Sequence, residues 1–243
     1  MKYLIYTLLL FLSAFSVKAT PLYIQQVKLS SVNEKKLQEA LKQIKEHSEV
    51  SLKDNLFVSP FHKQTKSEST DKQSFCNVCH KKQPHSLDKR KRSFLNMHTR
   101  YVSCETCHFI PKNTQLKYKW LNFNSDSNKI PAKRITPFYN NEAVLTFSDN
   151  KFAEQVKENW ANENQDKKTT IEKAKLKLRL HTPLNAEGPE CLDCHNNKNQ
   201  LLDLESLKFS RKDIKKLQQH AIPRFFSRFS KEDQSLRMTD LLQ

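Results

Sequence analysis

The sequence predicts a mainly α-helical, loop-rich chain with a small β-hairpin, and three observations carry that expectation. Apolar residues recur at helical spacing behind capping residues in several segments. A pair of asparagines, Asn140-Asn141, separates two strand-like runs. Apolar residues make up 37% of 243 residues, with a single glycine, against the roughly 45–50% of an ordinary globular domain, so side chains alone would fill only a thin core. The same composition excludes a multi-pass membrane protein and a collagen-like chain. Lys and Arg number 42 against 26 Asp and Glu, a formal charge of +16.

Residues 1–19 read as an export signal. Lys2 precedes an apolar run from Tyr3 to Val17, and Val17-Lys18-Ala19 offers a small-residue cleavage site after Ala19. The run falls short of the roughly 20 residues of a bilayer span, and no later stretch is apolar enough for one. A periplasmic mature chain without stable membrane insertion is the expectation. Residues 20–74 form an N-terminal helical segment and a polar linker. Ser31-Val32-Asn33-Glu34 has the form of a capping box, and Leu37, Ala40, Leu41 and Ile44 make an apolar stripe. Residues 119–180 carry no cysteine. Within them Lys133–Tyr139 and Ala143–Phe147 flank Asn140-Asn141 as a hairpin, in which Asn supplies positive φ. A helix is predicted from Ser148 through Trp160, Thr169-Thr170-Ile171-Glu172 is a second capping box, and residues 174–181 fit a strand or a helix equally. In the last segment, 181–243, Ser210-Arg211-Lys212-Asp213 opens a helix with Ile214, Leu217 and Ala221 on one face, ending before Pro223.

All six cysteines fall into one pentapeptide, Cys-x-x-Cys-His: Cys76-Asn77-Val78-Cys79-His80, Cys104-Glu105-Thr106-Cys107-His108 and Cys191-Leu192-Asp193-Cys194-His195. Two thiols three positions apart can each form a thioether with one vinyl group of a haem, and the adjacent imidazole reaches the iron as proximal ligand. The pattern therefore predicts three covalently bound haems c, held by Cys76, Cys79, Cys104, Cys107, Cys191 and Cys194, with His80, His108 and His195 on the irons. Macrocycles would then pack the core that the apolar side chains leave thin. Zinc can use paired Cys-x-x-Cys motifs, but it gives no reason for a His directly after the second Cys three times. Thioredoxin-like pairs lack the flanking strand and helix pattern. Cys104 follows Cys76 by only 28 residues, making 75–118 a di-haem unit in which the two centres lie close together.

On those fifteen residues the chain resembles the multihaem c-type cytochromes of bacterial periplasms. The stretch from Pro84-His85-Ser86 through Cys104–Phe109 is also loosely similar to the haem-bearing part of small periplasmic nitrate reductase subunits, with different spacing and an additional motif ahead of it. The resemblance implies electron transfer through haems whose irons carry two axial histidines. Short tethers to the motifs make His85, His98 and His181 the distal candidates, with His62 as runner-up. His47 fits a core edge better than a ligand position, and His220 fits a helix C-terminus where an imidazolium suits the dipole. Met97 is the one candidate thioether ligand in the haem region. Two imidazoles on each iron imply a low-potential carrier, and filled coordination leaves no open position for substrate.

Removing Lys2 and Lys18 with the signal lowers the charge to about +14, and six haem propionates lower it to about +8 in the reduced and +11 in the ferric protein. What remains favours redox partner proteins with acidic docking surfaces. No nucleic-acid-binding signature accompanies the charge. The function predicted is a periplasmic trihaem carrier passing electrons between redox partners. The alternative is a haem enzyme, or the electron-input subunit of a reductase or oxidase, acting on a small nitrogen or sulfur compound at an under-coordinated haem. A third reading is a haem-based sensor or assembly protein working through the 119–180 insert.

Overall fold

The structure, a computed structural model, describes residues 20–46, 72–80, 84–85, 90–126, 132–145, 147–161, 167–198 and 200–229, together with Gln234 and Thr239. The export signal, His47, His62 and most of the polar linker lie outside the described residues. The elements are mainly helical: α1 Leu22–Leu29, α2 Glu34–Lys45, a 3₁₀ turn at Phe75–Val78, α3 Arg92–His98, α4 Cys104–His108, α5 Lys151–Ala161, α6 Lys167–His181, α7 Cys191–Cys194, α8 Arg211–Gln218 and α9 Ala221–Arg228. One three-stranded antiparallel sheet, β1 Lys117–Asn122, β2 Lys133–Tyr139 and β3 Glu142–Ala143, completes them in the order β1-β2-β3.

The hairpin forms where the asparagines place it. Asn140 and Asn141 sit at φ 49° and 64°, the two positive dihedrals of a type I′ turn, and Tyr139 pairs with Glu142. The second strand is shorter than expected. Beyond Ala143 the chain leaves the sheet, because Val144 and Leu145 turn into the core at 0% and 5% exposure. Strand β1, which the sequence did not suggest, pairs along the other edge of β2 from Lys117↔Phe138 to Asn122↔Lys133. Strand β2 also secures the chain ahead of the second Cys-x-x-Cys-His motif. The Ile135 N–H donates to the Tyr101 carbonyl at 2.8 Å, while the Ile135 carbonyl accepts from the Ser103 N–H at 2.9 Å and from Thr106 Oγ1 at 2.8 Å.

Several helix boundaries differ from the sequence expectation. The cap of α2 is Asn33, whose Oδ1 accepts from the Lys36 N–H at 3.3 Å; Ser31 forms no capping box, since Asn is an equally good cap and the start at Glu34 still buries Leu37 and Ala40. Helix α5 starts at Lys151 rather than Ser148, with Asn150 Oδ1 accepting from the Ala153 N–H at 3.0 Å. Residues 174–181 are helical, the end of α6, and α6 begins at Lys167, so the Thr169–Glu172 box does not open it.

Helix α8 is capped by Ser210 as expected but ends at Gln218. Ala221 belongs instead to α9, with Pro223 in its first turn, the one part of a helix that tolerates proline. His220 is therefore an N-cap, its Nδ1 accepting from the Ile222 N–H at 3.3 Å. This reverses the expected placement at a helix C-terminus.

Packing is distributed over three small clusters. The largest joins Tyr23, Ile24 and Val27 of α1 to Phe75, Phe109, Val144, Leu145, Ala153, Val156 and Leu180. Tyr23 Oη closes it by donating to the Leu180 carbonyl at 2.6 Å. A second gathers Ile135 with Leu202, Leu204 and Leu207, and a third is only Leu37, Ala40 and Ala174. The first cluster includes the residues flanking the first two motifs, Phe75 before Cys76 and Phe109 after His108.

Candidate cofactor-binding site

Each Cys-x-x-Cys-His motif occupies about one helical turn. The His80 N–H donates to the Cys76 carbonyl at 2.9 Å, the His195 N–H donates to the Cys191 carbonyl at 3.0 Å, and the second motif is α4 itself. A turn of this kind brings residues i and i+3 to one face, so both cysteines of a motif lie on the same side. The six cysteines form no disulfides.

Burial raises the Cys79 and Cys191 thiols and holds Cys107 up to about 11 and Cys194 up to about 12. The Cys76 thiol donates to Cys104 across the first two motifs, which pushes Cys76 up and Cys104 down. Five of the six thiols are thus raised and only Cys104 is lowered. Among the described residues no group of three or more Cys, His, Asp or Glu side chains is placed to hold a metal ion.

The histidines are brought together two by two. His80 lies 5.9 Å from His181, His85 lies 6.2 Å from His108, and His98 lies 6.0 Å from His195, ring centre to ring centre. Each pair joins one motif histidine to one of the three distal candidates, and two of the pairs close loops of about a hundred residues. The pairs are also neighbours of one another. Burial lowers His80, and then the charges of His181, His108 and His85 lower it further; His85 is lowered by burial and by His108 and His98; His195 is lowered by burial and by His98 and His220. These proximities arrange the pairs in series as 80/181, 108/85 and 195/98.

Five of the six rings are fixed through Nδ1. That nitrogen faces the Asn185 carbonyl in His108 at 2.9 Å, the Leu217 carbonyl in His195 at 2.9 Å, the Phe94 carbonyl in His98 at 2.7 Å and the Lys177 carbonyl in His181 at 2.7 Å. In His85 it faces Asn96 Oδ1 at 3.2 Å. A carbonyl can only accept, so the proton sits on Nδ1 and the lone pair of Nε2 is left for a metal. None of these supporting groups carries a sequence signature, since four of them are backbone carbonyls, two from the preceding turn of the same helix and two brought in by the fold.

Met97 and His220 form no such pair among the described residues. Met97 is 46% exposed, and Nδ1 of His220 is taken by its capping bond. Arg134, over the Phe123 ring at 4.4 Å, neighbours Cys104 and the buried Glu105, whose carboxyl is raised by burial. A cleft of about 340 Å³ walled by Ile110, Asn185, Gly188, Asp193 and Leu201 opens between the second and third motifs.

No family model matches the chain, and no solved structure does. Among curated proteins it is similar to the cytochrome c-type protein NapC of Haemophilus influenzae, 26% identical over 168 residues that cover 61% of this chain and 77% of that protein. The likeness, together with the motifs, supports a place for this chain among the c-type cytochromes.

Proposed function

We propose that the chain is an exported trihaem c-type cytochrome that passes electrons one at a time between redox partners. The single observation that carries the reading is the set of three histidine pairs. Two metal–nitrogen bonds of about 2 Å and two ring radii of about 1.2 Å put the centres of imidazoles on opposite sides of one metal ion about 6 Å apart, the spacing found in each pair.

In this reading Cys76 and Cys79 attach the first haem, Cys104 and Cys107 the second, and Cys191 and Cys194 the third. The axial pairs are His80 with His181, His108 with His85, and His195 with His98. The haem, when bound, supplies one-electron redox chemistry. The chain's own part is to hold five of the six imidazoles in one tautomer and orientation, to seal both axial positions against substrate, and to keep the three sites adjacent. Two nitrogens on each iron favour a lower potential than a Met and His set.

The test is haem content by mass combined with low-temperature EPR of the ferric protein. Three haems per chain and three low-spin signals are expected. A high-spin signal that moves on adding nitrite or sulfite would overturn the carrier in favour of a reductase, and bound zinc with free thiols would end the haem reading.

The reading extends to an acidic redox partner, because exposed cations crowd the third pair. Between Lys208 and Phe229, seven Lys and Arg face a single acidic residue, Asp213. Arg211, Lys212, Lys215 and Lys216 are exposed on α8, whose Leu217 carbonyl holds His195. Charge of this kind steers encounter and is screened by salt. The bimolecular rate of electron exchange with an acidic carrier protein is expected to fall about tenfold between low and high ionic strength; a salt-independent rate would remove the acidic partner. Export after Ala19 is part of the proposal, and among the described residues no helix is long and apolar enough to cross a membrane.

A further inference from the structure

His85 itself lies in no helix or strand, and a single side chain clamps it from three directions. Asn96, on α3, accepts the His85 backbone N–H on Oδ1 at 3.2 Å and lies 3.2 Å from the His85 ring Nδ1 through the same oxygen. Its Nδ2 donates to the His85 carbonyl at 3.0 Å.

The two backbone contacts remove the usual ambiguity of an amide. A backbone N–H can only donate and a backbone carbonyl can only accept, so the amide can sit only with Oδ1 toward the N–H and Nδ2 toward the carbonyl. That orientation in turn places an acceptor against the ring, so Nδ1 must carry the proton and Nε2 is left as the coordinating nitrogen. The His85 ring lies nearly parallel to His108, 19° between planes.

Helix α3 is itself well secured. Its Phe94 packs edge-on against Phe226 of α9 at 5.3 Å, and the Phe94 carbonyl fixes His98, which faces His195. One seven-residue helix thus mounts two candidate ligands of different sites, His98 directly and His85 through Asn96.

We infer that Asn96 is a positioning residue that sets the tautomer and orientation of His85 and so keeps the middle site six-coordinate. The inference rests on the axial pairs proposed above. It concerns a side chain that the Cys-x-x-Cys-His motifs do not mark and that touches no iron in that reading. Outer partners of metal-bound histidines act in this way, by fixing the ring and raising its basicity.

The experiment uses the haem-loaded full chain with Asn96→Ala and Asn96→Asp, read by low-temperature EPR and by potentiometric titration of each haem. The signal of the middle site is identified as the one that His85→Ala abolishes. Asn96→Ala is expected to keep three haems, to convert that one signal partly to high spin, and to regain the low-spin form with added imidazole. Asn96→Asp keeps the acceptor oxygen and adds negative charge, so it is expected to stay low-spin and lower the potential of the middle haem alone.

Unchanged spectra and potentials in Asn96→Ala would overturn the inference. If Asn96→Ala does not load haem, an unchanged middle potential in Asn96→Asp overturns it equally. A wild-type protein with no low-spin signal sensitive to His85→Ala would instead refute the axial pairing itself.

Discussion

Replacing His181 by alanine is expected to open one haem iron and leave the other two sealed. His181 is the last residue of α6, exposed, with its ring Nδ1 on the Lys177 carbonyl one turn back. Truncating it removes no buried apolar contact, so any loss of stability is expected to come from the iron–nitrogen bond that ties α6 to the first motif. The electronic effect should be large. One of three low-spin EPR signals is expected to become high-spin, and that haem alone should bind added imidazole or cyanide.

The pairing makes a sharper demand. Combined with Cys76→Ala and Cys79→Ala, the variant should lose its high-spin signal, because the opened iron is the one those cysteines attach. Combined with loss of the second or third motif, it should keep it. If the high-spin signal instead disappears with Cys191 and Cys194, the motif nearest to His181 in sequence, the ligand serves its local haem and the 80/181 pair is wrong. The sequence favours that local choice, since His181 precedes Cys191 by ten residues; the 5.9 Å approach to His80 favours the distant one.

How much of this could be read beforehand follows from how local each signal is. The Cys-x-x-Cys-His turns, the Asn140-Asn141 turn and the Ser210 cap are decided by neighbouring atoms, and the structure has each where those residues place it. Strand β1 was hidden because Lys117-Tyr118-Lys119-Trp120 alternates over only four residues before Leu121 breaks the pattern, and the strand is exposed along most of its length. Helix α9 was hidden because Pro223 reads as a stop, although the first turn accepts it.

Which histidine meets which was illegible for a stronger reason. His98 reaches His195 and His80 reaches His181 across about a hundred residues, so spacing along the chain holds no information about them. Asn96 was invisible for a different reason. Nothing distinguishes an exposed helical Asn from one that clamps a neighbour until the chain before it folds back.

Replacing Cys191 and Cys194 together by alanine is expected to lower haem content from three to two and to abolish the cooperative folding of residues 191–229. The side chains in that region have little else to pack on. Its apolar cluster buries only Leu202, Leu204 and Leu207 with Ile135 of β2, and the four-residue helix α7 buries nothing. Helix α8 meets the third motif through the Leu217 carbonyl on His195, and α9 lies against α7 and Phe94.

A group that binds the folded chain and not the unfolded one contributes its binding free energy to folding. A whole domain is stable by only about 5–15 kcal/mol, so losing a covalently held macrocycle exceeds what three buried leucines and Phe226, at about 1.5–3 kcal/mol each, can offset once chain entropy is counted. Thermal unfolding followed by near-ultraviolet circular dichroism should lose its C-terminal component, and limited proteolysis should cut between 195 and 229 while the part holding the first two motifs survives. An unchanged melting temperature with two haems would show that the side chains hold this region by themselves, and the thin apolar composition would then need another explanation. The first two motifs should be less forgiving than the third, because Phe75 and Phe109 carry them into the largest cluster beside Tyr23, Val144 and Leu180; loss of either haem there would loosen contacts on which α1, α5 and α6 all depend.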